Sequence, residues 1–231
     1  MTVAMRLKVC CIASPAEARL AVAAGAHALG LVGPMPTGPG VLAEDAIAPI
    51  AAGVPPGVSR FWLTARTDPA EIARLAPLLG VEVVQCVRSL APADHRRLAE
   101  AVPWLRRVQV IHVEDARALD EAAVYAPVAD ALLLDSGRPS ADEFGGTGRR
   151  HDWSVSAEIV RRSSVPVWLA GGLTPDNVAE AVAQVRPFGV DVCSGLRTDG
   201  ALDAGKLAAF VAALGRTSAQ EASAASVHPE R

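Results

Sequence analysis

No unbroken apolar stretch in this chain approaches the roughly 18 to 20 residues a membrane helix needs, and the N-terminus carries no convincing signal-peptide pattern. Both absences predict a cytoplasmic protein that engages no membrane. There is no long basic run either. Lys and Arg total 22 against 25 acidic residues, a net charge of −3, and this excludes the electrostatic footprint of a nucleic-acid binder while leaving a small polar or anionic metabolite open. Four cysteines, Cys10, Cys11, Cys86 and Cys193, lack C-x2-C spacing, and adjacent Cys10-Cys11 makes a poor disulfide framework. Free thiols are expected, and no metal.

What the chain does have is apolar residues, 51% of 231, enough for one sizeable core. They fall in short β-type runs near residues 7–12, 28–32, 59–64, 81–86, 108–113, 131–135, 165–170 and 189–192, eight in all. Amphipathic helical stretches follow near 15–24, 44–51, 69–78, 92–101, 116–124, 154–162, 175–184 and 204–214. Several open on a capping side chain followed by proline: Ser14-Pro15, Asp68-Pro69 and Thr174-Pro175. Eight βα units predict an α/β fold, a (β/α)8 TIM barrel in a single domain over residues 1–215. An open doubly wound sheet would need a G-x-G-x-x-G turn after the first strand, and Cys10-Cys11-Ile12-Ala13 is not one. The Ser/Ala-rich segment 216–231 lacks apolar periodicity and is expected to be a disordered tail.

In such a barrel the reactive groups sit just after each strand. The last two strands are followed by Gly171-Gly172 and Ser194-Gly195, where a bare backbone can approach a phosphate. A third glycine segment, Gly145-Gly146-Thr147-Gly148, lies in a long loop near residues 136–152, beside Arg149 and Arg150. Asp135 closes the sixth strand, where an acidic residue must be solvated or paired. At the end of the first strand, alternation predicts that one of Cys10 and Cys11 faces the barrel interior and the other the helices. Inert packing is the ordinary role of such a cysteine.

Several segments taken together resemble the phosphoribosylanthranilate isomerase family. They are Lys8-Val9-Cys10, Ala28-Leu29-Gly30-Leu31-Val32, Leu133-Leu134-Asp135-Ser136, Gly145-Gly146-Thr147-Gly148 with Asp152-Trp153, Leu169-Ala170-Gly171-Gly172-Leu173 with Pro175 and Asn177, and Gly189-Val190-Asp191-Val192 with Ser194-Gly195. The resemblance spans residues 7 to 214 and is strongest after Ala131. It implies a cofactor-free aldose-ketose isomerase of tryptophan biosynthesis. Its substrate is a phosphorylated ribose derivative, N-(5-phosphoribosyl)anthranilate, which an Amadori rearrangement converts to 1-(o-carboxyphenylamino)-1-deoxyribulose 5-phosphate. The family occurs as monomers and dimers.

By position, the resemblance makes Cys10 the general base and Asp135 the general acid. It places the phosphate on backbone N–H groups at Gly171, Gly172, Ser194 and Gly195, with Arg88, Gly146 and Arg197 as candidate substrate contacts. Departures from the family pattern cluster at particular places. Pro39 stands where an arginine usually grips the anthranilate carboxylate, Cys11 replaces a glycine, Gln85-Cys86-Val87-Arg88 replaces Gln-Leu-His-Gly, Cys193 replaces a serine and Arg197 a glutamate. Losing one charge-assisted contact to a carboxylate costs about 2 to 5 kcal/mol of binding. Replacement cations at strand ends are Arg66, Arg88, His112, Arg138 and Arg197. Two other readings stay open: an isomerase for a different phosphoribosylamine, and a barrel that binds a sugar phosphate without turnover. Retention of both Cys10 and Asp135 argues against the latter, since binding needs neither.

Overall fold

The computed structural model describes residues 5–36, 38–137 and 149–226. Eight parallel strands close on themselves in sequence order, β1 pairing with both β2 and β8. They are β1 (Arg6–Val9), β2 (Ala28–Val32), β3 (Ser59–Thr64), β4 (Val83–Cys86), β5 (Arg106–His112), β6 (Ala131–Asp135), β7 (Val167–Leu169) and β8 (Gly189–Val192). Helices α1 (Pro15–Ala23), α2 (Glu44–Ala52), α3 (Pro69–Leu79), α4 (Pro92–Ala101), α5 (Arg117–Tyr125), α6 (Trp153–Arg162), α7 (Val178–Val185) and α8 (Ala204–Ser226) alternate with them. The expected TIM barrel is present. Beyond it, a two-residue pair, β9 (Arg197–Thr198) with β10 (Ala201–Leu202), bridges β8 to α8.

The barrel has two apolar shells because its strands are buried on both faces. One shell packs strands against helices, with Leu29, Leu31, Trp62, Ile111, Leu132, Leu134 and Val190 reaching outward to Ile47, Ile72, Leu98 and Val182. The other fills the barrel, and Phe61 and Trp168 meet there edge to face with ring centroids 5.8 Å apart. Polar groups, Lys8, Gln85, His112 and Asp191, are buried on inward-facing positions of the same strands. Burying charge inside a barrel is costly, so their presence marks a site rather than a packing solution.

Two capped helix starts form as the sequence predicts: Ser14 Oγ accepts the Glu17 N–H at 3.2 Å, and Asp68 Oδ1 accepts the Ala70 N–H at 2.9 Å. The Thr174-Pro175 start does not. Residues 175–177 form a turn and α7 begins at Val178. Asn177 fastens this turn: its Oδ1 accepts the Thr174 N–H at 2.9 Å while its Nδ2 donates to the Gly172 carbonyl at 2.9 Å. At the other end of the chain α8 continues to Ser226, past the boundary expected at residue 215. Its Ala-rich sequence has enough intrinsic helix propensity to prolong a helix nucleated by packing, and periodicity alone misses that.

Candidate active site

A cavity of about 700 Å³, counted out to its open mouth, occupies the C-terminal end of the barrel. Cys10, Asp135, Gly171, Gly172 and Ser194 all line it, and so does Pro39. Groups far apart in the chain meet here because each follows a strand of one closed sheet, so all leave the barrel at the same rim.

Strand β1 ends at Val9, earlier than hydrophobicity predicts, because Cys11 adopts a left-handed backbone with φ of 61°. A strand's in-out alternation stops there. Contrary to the sequence expectation, Cys10 and Cys11 both face the barrel interior, where both line the cavity. The register places Lys8 beside Asp191 and Val9 beside Val192, and the Cys10 N–H donates to the Val192 carbonyl at 2.9 Å. Cys11 and Cys193, two substituted positions of the family pattern, meet at this cavity beside Cys10. The neighbouring Cys10 and Cys193 thiols, with burial, push the Cys11 thiol well above its ordinary value. Cys193 moves the other way. The neighbouring Cys11 thiol lowers it against the effect of burial, and the adjacent Arg197 guanidinium adds to the lowering.

Asp135 closes β6 next to its register neighbour His112 on β5. Burial raises its carboxyl above the usual carboxylate range, and the charge of Asp191 adds to this. The Ser136 N–H, which donates to Oδ1 at 2.7 Å, pulls the other way, as do His112 and Lys8. The direction suits a carboxyl group that keeps its proton for a substrate oxygen.

The glycine loops after β7 and β8 form the opposite wall. Gly171 and Gly172 have φ of 83° and 63°, a region L side chains rarely adopt, and a Cβ on Gly172 would lie 2.6 Å from the Arg149 carbonyl. After β8 the chain makes a one-turn 3-10 helix, Ser194–Leu196, whose Leu196 N–H donates to the Cys193 carbonyl at 3.1 Å. The first N–H groups of a helix have no partner within it, which leaves those of Ser194 and Gly195 for a ligand. Gly195 itself stands back from the cavity. A Cβ there would be 2.0 Å from the Leu173 carbonyl, so its bareness lets the two loops pack together.

The candidate cations sit elsewhere. The guanidinium of Arg197 donates to Glu17 and to the carbonyls of Cys10, Cys11 and Gly200, tying β9 to the loop after β1. Arg66 is bridged by Glu44 and Glu71. His112 Nε2 donates to the Val87 carbonyl at 3.0 Å, and Arg88 is half-buried outside the cavity wall. Gly146 and Arg138 lie outside the described residues. Among the described residues no Arg or Lys lines the cavity, and the wall around Pro39 is formed by Val32, Met35, Gly38 and Leu63. Also among them, no group of three or more His, Cys, Asp or Glu side chains is arranged to hold a metal ion, and no helix is long and apolar enough to cross a membrane.

Sequence reasoning missed Lys8 and Asp191. Lys8 is wholly buried, with Nζ 2.7 Å from Asp191 Oδ2 and 3.4 Å from Cys10 Sγ. The signal was available, since a lysine two residues before the strand-end cysteine and an aspartate in an otherwise apolar β8 both point inward by alternation.

The family model for N-(5'-phosphoribosyl)anthranilate isomerase matches residues 7–213. A protein of that name from Haloferax volcanii is 39% identical over 211 residues, 90% of this chain and 92% of its own length. The crystal structure of phosphoribosyl anthranilate isomerase from Thermotoga maritima superposes with a TM-score of 0.81 at 29% identity, over 92% of this chain and 99% of that one. Another phosphoribosyl anthranilate isomerase, crystallised with reduced 1-(o-carboxyphenylamino)-1-deoxyribulose 5-phosphate, superposes with a TM-score of 0.78 at 26% identity, over 92% and 99% of the two chains. With the barrel, the rim and these likenesses in agreement, the chain belongs to the phosphoribosylanthranilate isomerase family.

Proposed function

We propose that the protein isomerises N-(5'-phosphoribosyl)anthranilate to 1-(o-carboxyphenylamino)-1-deoxyribulose 5-phosphate, with Asp135 as general acid and Cys10 as general base. The observation that carries this reading is the convergence of Cys10, Asp135 and the glycine loops of β7 and β8 on one cavity. Asp135 gives its proton to the ribose ring oxygen, so the C1–O bond opens to an iminium ion. The Cys10 thiolate then takes the C2 proton, and the electron pair left behind neutralises the iminium as an enolamine, which tautomerises to the ketone. Backbone N–H groups at Gly171, Gly172, Ser194 and Gly195 hold the phosphate, anchoring the substrate away from the reacting carbons. The free thiols of Cys10, Cys11, Cys86 and Cys193 support a reducing, cytoplasmic setting for this reaction.

Loss of anthranilate fluorescence on adding purified protein to the substrate tests the reading. Cys10→Ala and Asp135→Asn should each lower kcat by about 10²-fold or more, the scale of an acid or base contribution. Undiminished turnover in either variant removes that residue from the role. One observation favours a second reading: Pro39 and its apolar neighbours offer no described cation to a carboxylate. A phosphoribosylamine with an uncharged aglycone would fit that wall, and inactivity toward the anthranilate compound at high enzyme concentration selects it.

A further inference from the structure

Behind the cavity wall at Asp191 is an ion pair to which the acid-base chemistry above assigns no task. Lys8 on β1 is 0% exposed and Asp191 on β8 is 6% exposed, with Nζ to Oδ2 at 2.7 Å. The same Nζ donates to Cys10 Sγ at 3.4 Å, a normal separation for a bond to sulfur. Its remaining side faces the Phe61 ring, with Nζ 5.2 Å from the centroid. Strand β2 leaves room for this arrangement at Gly30, where a Cβ would lie 2.6 Å from Cys10 Sγ and 3.1 Å from Lys8 Nζ. A pair of leucines would fill the same volume at lower cost, since two charges must be stripped of water to sit here. A fully buried charge pair touching one reactive atom is better explained by what it does to that atom.

We propose that Lys8, oriented by Asp191, is a positioning residue that holds the Cys10 side chain toward the cavity and stabilises it as the thiolate. The proposal rests on the reading of Cys10 as the base. The ionisable groups facing Cys10 are Lys8 from its own strand, Asp191 and Cys193 from β8 and its following loop, Cys11 next in sequence, and Asp135 across the cavity; Arg197 reaches only the Cys10 carbonyl. Of these, Lys8 alone brings a positive charge to the sulfur. Burial would strip the Lys8 proton, but the Asp191 carboxylate and the Cys10 sulfur together hold its ammonium above the ordinary lysine value, so it stays charged. During turnover Lys8 keeps all three of its protons. The sulfur goes from thiolate to thiol as it takes the C2 proton and returns that proton to solvent or product before the next cycle. The ammonium donates to the anionic sulfur more strongly than to the neutral one, which poises the base without consuming it.

The test follows the pH dependence of Cys10 alkylation by iodoacetamide, read by tandem mass spectrometry so that Cys10 and Cys11 are resolved. Removing Lys8 alone strands Asp191 without its partner and threatens the fold, so Lys8→Met is paired with Asp191→Leu to delete both charges together. A folded double variant, verified by its thermal unfolding, should reach half-maximal alkylation at a pH at least one unit higher than the parent. It should also lose at least tenfold in kcat at pH 7 with KM changed less than threefold, while Lys8→Arg, which keeps the charge, should recover part of the loss. A folded double variant whose Cys10 alkylates with the parent's pH dependence overturns the proposal. Alkylation needs no turnover, so this failure is distinct from failure of the base assignment, which Cys10→Ala decides.

Discussion

The two ends of the cavity are made differently. The β7 and β8 side is made of backbone: Gly171 and Gly172 in left-handed conformations, a 3-10 turn, and Asn177 fastening the Gly172 and Thr174 peptide groups. The β2 and β3 side is made of side chains, Val32, Met35, Pro39 and Leu63. A subsite made of N–H groups depends little on which side chains surround it, because every residue except proline carries the donor. A subsite made of side chains changes its ligand with one substitution. The shared chemistry of a family therefore resides at the first end and the identity of the aglycone at the second.

The largest effect is expected where the backbone end is crowded. Gly172→Ala puts a methyl group against the Arg149 peptide in a left-handed conformation, which should destabilise the fold by about 1 to 3 kcal/mol. It should also raise KM about tenfold or more while largely sparing kcat, since the phosphate is held equally in ground and transition states. A drop in kcat with KM unchanged would move the phosphate away from this loop.

At the side-chain end, Pro39→Arg supplies a guanidinium to the apolar wall. For a carboxylated aglycone, steady-state kinetics should show KM falling about tenfold, equivalent to about 1.4 kcal/mol. No improvement would shift the balance to an uncharged aglycone.

An effect absent at neutral pH comes from His151, which packs beside Gly171 and whose Nε2 lies 2.7 Å from Ser156 Oγ. Burial pushes it down from 6.5 to about 4, so the folded protein carries it neutral. Between those values the unfolded chain binds the extra proton first. Its contribution to stability is thus complete above about pH 6.5 and is lost as pH falls toward 4, to the extent of about 3 kcal/mol. Chemical denaturation at pH 7 and pH 4.5 should show this loss in the parent and a smaller one in His151→Gln. An equal loss in both would place the acid sensitivity elsewhere.

Much of this could be read along the chain. Alternating apolar runs and capped helices are local signals, so the eight βα units and the residues following each strand were legible, including Cys10, Asp135 and Gly171-Gly172. The conformation of Cys11 was not. Its left-handed φ follows from the turn that carries β1 into the loop before α1, and strand periodicity cannot anticipate where a strand stops. The fate of Arg197 was hidden for a related reason. A cation beside a phosphate loop reads as a ligand contact until the fold brings Glu17 and two carbonyls from the other end of the chain to meet it.

The sequence by itself determined the architecture, the rim on which chemistry could occur and the family, because strand order in a βα chain follows chain order and side-chain alternation assigns each residue to a face. Only the tertiary structure decided how the charges pair. Lys8 and Asp191 are 183 residues apart in the chain, and closure of the barrel between β1 and β8 is what sets them 2.7 Å from each other under the Cys10 sulfur. Ion pairing depends on distances of a few ångströms through a low-dielectric interior, and those exist only once the last strand has met the first.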